Sequence, residues 1–114
     1  MRPHERLDAW KISMDLVTEV YRHTSNFPKA EIYGLASQIR RAAVSIPANI
    51  AEGCARKGQK EKDQFIYVAR ASLSELETHL EIARRLEYLD GTKHSQLMET
   101  CRRLSALIDG LLGF

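Results

Sequence analysis

The sequence predicts an all-α fold, an antiparallel up-down-up-down four-helix bundle, on three observations. Glycine and proline divide the chain into four segments, each segment carries apolar residues at steps of three and four, and the connections are short. Such steps gather side chains on one helix face, and short connections set consecutive helices side by side in opposite directions. With 114 residues, 44% of them hydrophobic, the chain can bury one compact core, so residues 1–114 are read as a single domain.

Segment one runs from about Leu7 to Ser25. Trp10, Met14, Val17 and Tyr21 form one face, while Ala9, Ile12, Leu16 and Val20 form a neighbouring one. Together they span an apolar arc of roughly 200°, wider than a bundle seam needs. Either the helix is unusually enclosed, or its second stripe packs on another subunit; Ile12, Leu16 and Val20 are therefore the expected oligomer interface.

Phe27-Pro28 interrupts the chain, and segment two follows from about Glu31 to Arg56. Leu35, Ile39, Ala42, Ile46, Ile50 and Gly53 line its inward face, and Ala36, Ala43 and Ala51 permit close approach of another helix. Apolar phase is kept across Pro47, which predicts one helix kinked at the proline rather than two helices. After the turn Lys57-Gly58-Gln59, segment three runs from about Lys60 to Leu89 with Phe65, Ala69, Leu73, Leu76, Leu80 and Ala83 inward. Asp90-Gly91 reads as its stop and Thr92 as the cap of the next helix, whose inward face is Leu97, Cys101, Leu104, Ile108 and Leu111.

A formal charge of +2 and a pI near 8.6 are only mildly basic, so any nucleic-acid contact must rest on a local patch. The charged start Met1-Arg2-Pro3-His4-Glu5-Arg6 lacks the apolar stretch of a signal peptide, and no apolar run approaches the length of a membrane span. A cytoplasmic protein without membrane contact is expected. Cys54 and Cys101 stand apart from each other and from histidine, which suggests buried free thiols rather than zinc ligands or a disulfide framework. No phosphate-cradling glycine loop, nucleophile beside a base or paired metal motif is present, so the expectation is a non-enzyme with no cofactor, metal or identified small-molecule substrate.

Two polar constellations stand out. On segment two, Gln38, Arg41, Ser45, Asn49, Glu52 and Arg56 follow at steps of three or four and flank the apolar face. Gln, Ser and Asn beside Arg suit fixed hydrogen-bond geometry, as in a polar seam at a subunit or ligand interface. The alternative is a satisfied network within the bundle plus ordinary surface, with Arg56 and Glu52 paired at helical spacing. On segment three, Ser72, Glu75 and His79 share the edge of the inward face. A di-metal bundle site needs Glu-x-x-His on two helices, whereas here the spacing is one residue longer and occurs once, so a structural polar cluster is the better reading.

The connection from Arg56 to Lys62 sets four basic residues against one acidic residue, a local +3. With Arg40 and Arg41 farther up the same helix, Arg56, Lys57, Lys60 and Lys62 are the candidate nucleic-acid-binding residues; solubilising surface is the alternative. No aromatic residue interleaves with these charges, so base stacking is not expected.

The stretch Tyr33-Gly34-Leu35, the run QIRRAAVSIPANIAEG from Gln38 to Gly53, Trp10, Phe27-Pro28, ARASLSELE from Ala69 to Glu77 and Leu86-Glu87-Tyr88-Leu89 together resemble the 23S rRNA intervening-sequence family of four-helix bundle proteins. The resemblance covers nearly the whole chain. It implies a homo-oligomer, typically a pentameric ring, and a relation to the accessory proteins of diversity-generating retroelements, which bind nucleic acid and a reverse transcriptase and are much more basic than this chain. The expected function is a non-enzymatic oligomeric helical scaffold assisting an RNA or ribonucleoprotein partner through its basic surface. The alternative is a self-assembling protein–protein adaptor with no nucleic-acid binding.

Overall fold

The computed structural model describes residues 1–114 and contains four α-helices and no strand: α1 (Asp8–Thr24), α2 (Leu35–Cys54), α3 (Gln59–Arg85) and α4 (Gly91–Leu111). Short 3-10 turns at Pro3–Arg6 and Lys29–Glu31 precede α1 and α2. The longest dimension, 43 Å, matches the length of α3, whose 27 residues rise about 1.5 Å each. Gly53 lies against Lys62 and Phe65, and Ser45 against Ser72, so sequence number rises along α3 as it falls along α2. Arg70 with Asp109 and Glu81 with His94 give α3 and α4 the same opposed sense, as do Thr24 with Arg40 and His4 beside Cys54 for the first two helices.

The core is one cluster to which all four helices contribute. On α2 every residue of the expected inward face is buried, from Leu35 through Ile39, Ala42, Ile46 and Ile50 to Gly53. On α3 and α4 the same holds for Ala69, Leu73, Leu76, Leu80, Ala83, Leu97, Cys101, Leu104 and Ile108, while Phe65 and Leu111 sit half-buried at its margin. Each fully buried Leu or Ile contributes about 1.5–3 kcal/mol relative to exposure. Gly53 sets the closest approach: a Cβ there would stand 3.1 Å from the Lys62 carbonyl oxygen and 3.2 Å from Phe65 Cβ. The helix is continuous across Pro47, which is itself buried.

Helix α1 corrects the sequence reading. Ala9, Leu16 and Val20 face the monomer's own core, with Leu16 and Val20 only 1% exposed, and Ile12 packs at the core edge. Of the other stripe, Trp10 and Val17 are half-buried and pack against the core edge, while Met14 and Tyr21 are left 42% and 45% exposed. Leu16 and Val20 are thus intramolecular packing residues, not interface ones, while Ile12 is half-buried and also edges an open groove with Leu107. Inward-facing Ser13 donates to the Trp10 carbonyl at 2.8 Å, satisfying its hydroxyl within its own helix.

Helix boundaries also shift: α2 runs from Leu35 to Cys54 rather than from Glu31 to Arg56, with a 3-10 turn at Lys29–Glu31 before it. α3 stops at Arg85 rather than Leu89, because Glu87 takes the left-handed conformation with φ 64°. That turn lets the Tyr88 N–H reach the Ala83 carbonyl at 2.9 Å and the Glu87 N–H reach that of Arg84 at 3.0 Å, closing the helix end. The cap of α4 is Asp90, whose carboxylate accepts from the Lys93 N–H at 2.8 Å; Thr92 lies inside the helix.

Candidate functional site

The polar residues of α2 and α3 meet in one open cleft of about 500 Å³ between the two helices, lined by Gln38, Arg41, Ala42, Ser45, Ser72 and Glu75. Its floor is fixed by a hydrogen-bonded chain. The Asn49 amide donates to the Ser45 carbonyl at 2.8 Å and to its hydroxyl at 2.9 Å, and that hydroxyl shares a hydrogen bond with Ser72 across 2.8 Å. The Ser45–Ser72 bond ties α2 to α3, so this part of the seam works within the monomer. At the rim, Glu75 Oε2 lies 3.1 Å from His79 Nε2, and the buried Nδ1 of His79 has no partner. Arg41 is exposed and makes no ion pair in the chain, while Arg56 stands 3.7 Å from Glu52 on the solvent side. The six seam residues therefore divide: Ser45 and Asn49 hold the bundle together, Gln38 and Arg41 edge the cleft, and Glu52 and Arg56 form a surface pair. Nowhere do three His, Cys, Asp or Glu side chains converge as metal ligands.

The six basic candidates do not form one patch. Arg40 is held against α1, its Nε donating to Thr24 Oγ1 at 2.8 Å and its guanidinium lying 4.6 Å from the Tyr21 ring centroid. Arg41, one residue on, turns about 100° away toward the cleft. Both stand about 24 Å along the helix axis from Arg56. What the fold gathers is Arg56, Lys57, Lys60 and Lys62 around the α2–α3 turn, where the three lysines make no ion pair.

Sequence reasoning missed the aromatic residues at this end. The Arg56 guanidinium lies 4.7 Å from the Phe65 ring centroid, and Arg70 lies 5.0 Å from that of Phe114 while pairing with Asp109 at 3.0 Å. Tyr67 packs edge-on against Phe114 at 6.4 Å, and both remain open to solvent, 47% and 69% exposed. The signal was present as Phe65 and Tyr67 just beyond the basic run; Phe114 arrives from the far end of the sequence and only the fold brings it there.

The thiols are both free, Cys54 half-buried and Cys101 buried. Burial, reinforced by the nearby Glu77 carboxylate, pushes the Cys101 thiol up to about 12, so it is held as an apolar core residue. No helix is long and apolar enough to cross a membrane.

The sequence matches the family model described as 23S rRNA-intervening sequence protein over residues 5–110. A crystal structure of a protein of unknown function from the S23 ribosomal protein family of Bacteroides thetaiotaomicron VPI-5482 superposes with a TM-score of 0.83 at 19% identity, covering 93% of this chain and 99% of that one. At that identity the likeness bears on fold alone. No curated protein matches the sequence.

Proposed function

The chain belongs to the 23S rRNA-intervening sequence protein family, and we propose that it acts as a non-enzymatic oligomeric scaffold assisting an RNA or ribonucleoprotein partner through the basic α2–α3 turn. The observation that carries this reading is the turn itself. Lys57 and Lys60 are exposed, Lys62 is half-buried, and none of the three ammonium groups is neutralised by an acidic side chain. Unpaired ammonium groups on a surface turn favour phosphate, and each phosphate neutralised releases counterions, so affinity falls as salt rises. Such contacts position a backbone without reading bases. A ring of copies, pentameric by the family resemblance, repeats the turn and gains avidity through effective concentration.

Fluorescence anisotropy of a labelled single-stranded RNA across a salt series tests the proposal. Binding is expected at low salt, falling steeply as salt rises and weakened by Lys57→Ala with Lys60→Ala. Absence of binding at low salt, or affinity indifferent to both salt and the lysines, overturns it in favour of the second reading. That reading, a protein–protein adaptor, is favoured by the exposed apolar residues Met14, Tyr21 and Val44 on the α1–α2 face.

A further inference from the structure

We propose that the bundle end formed by the first turns of α3 and the close of α4 holds single-stranded RNA by stacking its bases on Tyr67 and Phe114, an inference that rests on the RNA reading above and extends it. Lys60, Gln64, Tyr67 and Arg70 follow along α3 at steps of four, three and three, so one outward stripe alternates cation, amide, ring and guanidinium. Lys60 and Tyr67 stand two turns apart, about 10 Å along the axis. Both rings face solvent on the side of α3 opposite Ala69, Leu73 and Leu76, where core packing gives no reason for an aromatic. The two ring planes are inclined at 63° to each other, so each offers a separate face to a base.

The charges around the rings select the partner. Lys60 lies two turns from Tyr67 on the same stripe with no internal ion pair, Lys57 precedes it in the α2–α3 turn, and Arg70 already lies against the Phe114 ring. Of the nearby acids, Asp109 pairs with Arg70, Asp63 accepts from the Gln59 amide at 2.8 Å and keeps its charge, and Glu61 is exposed about 120° round the helix from Tyr67. Exposed rings in line with Lys60 and leading to the basic α2–α3 turn suit a strand with π-faces and a charged backbone, because bases can stack on the rings while phosphates run toward the ammonium groups. A duplex hides its base faces, so the surface fits a single strand.

The test compares a short fluorescent oligoadenylate RNA with an abasic ribose–phosphate oligomer of the same length, using the full chain. The wild type binds oligoadenylate more tightly than the abasic strand. Tyr67→Ala or Phe114→Ala weakens oligoadenylate binding about 5- to 140-fold, the range that one stacked base supplies, leaves the abasic strand unchanged, and Tyr67→Phe restores the wild-type value. Both positions lie outside the core, and circular dichroism of each variant confirms that the helices persist. Equal affinity for the two strands, or alanine variants that bind oligoadenylate as the wild type does, overturns stacking while leaving phosphate-driven RNA binding intact. A wild type that binds neither strand at low salt removes the RNA reading and the stacking surface together.

Discussion

The Tyr88 hydroxyl donates to the Glu31 carboxylate across 3.1 Å, joining the α3–α4 connection to the turn that opens α2. The other oxygen of Glu31 accepts from the Leu35 N–H at 3.1 Å, and the Tyr88 ring packs on Phe27 with centroids 5.5 Å apart. One carboxylate thus caps a helix and fastens two connections. The hydrogen bond to Glu31, with desolvation second, raises the phenol above its ordinary value of 10.0. A raised folded-state value means a stabilising contribution fully present below 10 and lost as pH rises through the higher folded value. Tyr88→Phe is expected to lower the melting temperature at neutral pH and to flatten the loss of stability above pH 10, both read by thermal denaturation. An unchanged alkaline profile would show the bond to be energetically silent.

Glu87 carries the only non-glycine positive φ, 64°, in the chain. The left-handed conformation crowds a Cβ against the backbone, and glycine removes that cost at a helix C-terminus. Glu87→Gly is expected to stabilise the bundle by about 1 kcal/mol, measured by urea denaturation. Glu87→Ala, which keeps the Cβ, should gain little, and equal gains from both would point to charge rather than backbone strain.

At Gly53 two effects oppose each other. A side chain raises helix propensity by up to about 1 kcal/mol, but its Cβ must fit 3.1 Å from the Lys62 carbonyl oxygen and 3.3 Å from Ile66 Cδ1. Backbone cannot yield as a flexible side chain does, so the steric term wins for anything large. Gly53→Leu is expected to cost about 1–3 kcal/mol or more through separation of α2 and α3. Stability equal to wild type in a denaturant titration would mean the helices can part freely.

Acid should unfold the protein partly through Glu81. Hydrogen bonds from Arg84 and Arg85 hold this carboxylate well below its ordinary 4.5, at about 2, so its stabilising contribution is present above 4.5 and is lost as pH falls toward 2. Glu77 acts oppositely. Burial raises its pKa against the weaker pull of Arg102, so its charged form costs stability as pH rises from 4.5 through the higher folded value. Glu81→Gln is expected to flatten the melting-temperature profile between pH 4.5 and 2, while Glu77→Gln should raise the melting temperature at neutral pH. Parallel profiles for wild type and both variants would sink this assignment.

How much of this was legible in the sequence differs by helix, for physical reasons. On α2, α4 and most of α3 one apolar face stands against polar ones, so spacing selects the buried side, down to Gly53 and Ala83; in the run Phe65-Ile66-Tyr67-Val68 it does not, and Ile66 rather than Phe65 is the fully buried residue. On α1 both stripes are apolar, and periodicity cannot say which is inward. The fold settles it residue by residue: Leu16 and Val20 fill the core, Trp10 and Val17 pack half-buried at its edge, and Tyr21, against Arg40, stays at the surface. The cleft was half legible, since each helix announces its own polar edge but only pairing of Ser45 with Ser72 shows that the edges meet. The grouping of six basic residues failed because neighbours in sequence, Arg40 and Arg41, point to different sides of a helix.

Self-association supplies the last prediction. Placing Leu16 in the core removes Leu16→Asp as a test of assembly, because a charge at a 1% exposed site unfolds the monomer before any interface is probed. The exposed apolar residues lie elsewhere. Arg40 fixes the register of α2 against Tyr21 and Thr24, so Val44, one turn farther along α2 and 42% exposed, falls beside Val17 and Tyr21, with Met14 a turn beyond. Small exposed Ala48 and half-buried Ala51 continue the same surface. An apolar strip of this kind on a small bundle is stabilised by covering it, and a second copy is the partner the proposed ring requires. Tyr21→Glu combined with Val44→Glu is expected to reduce the mass measured by light scattering to that of a monomer while circular dichroism retains the helical signal. The variant keeps every lysine of the α2–α3 turn, so weaker RNA binding in it reports avidity rather than lost charge. If the double variant keeps the wild-type mass, the α1–α2 strip is not the interface; if it becomes monomeric yet binds RNA as tightly as the wild type, assembly and RNA binding are independent.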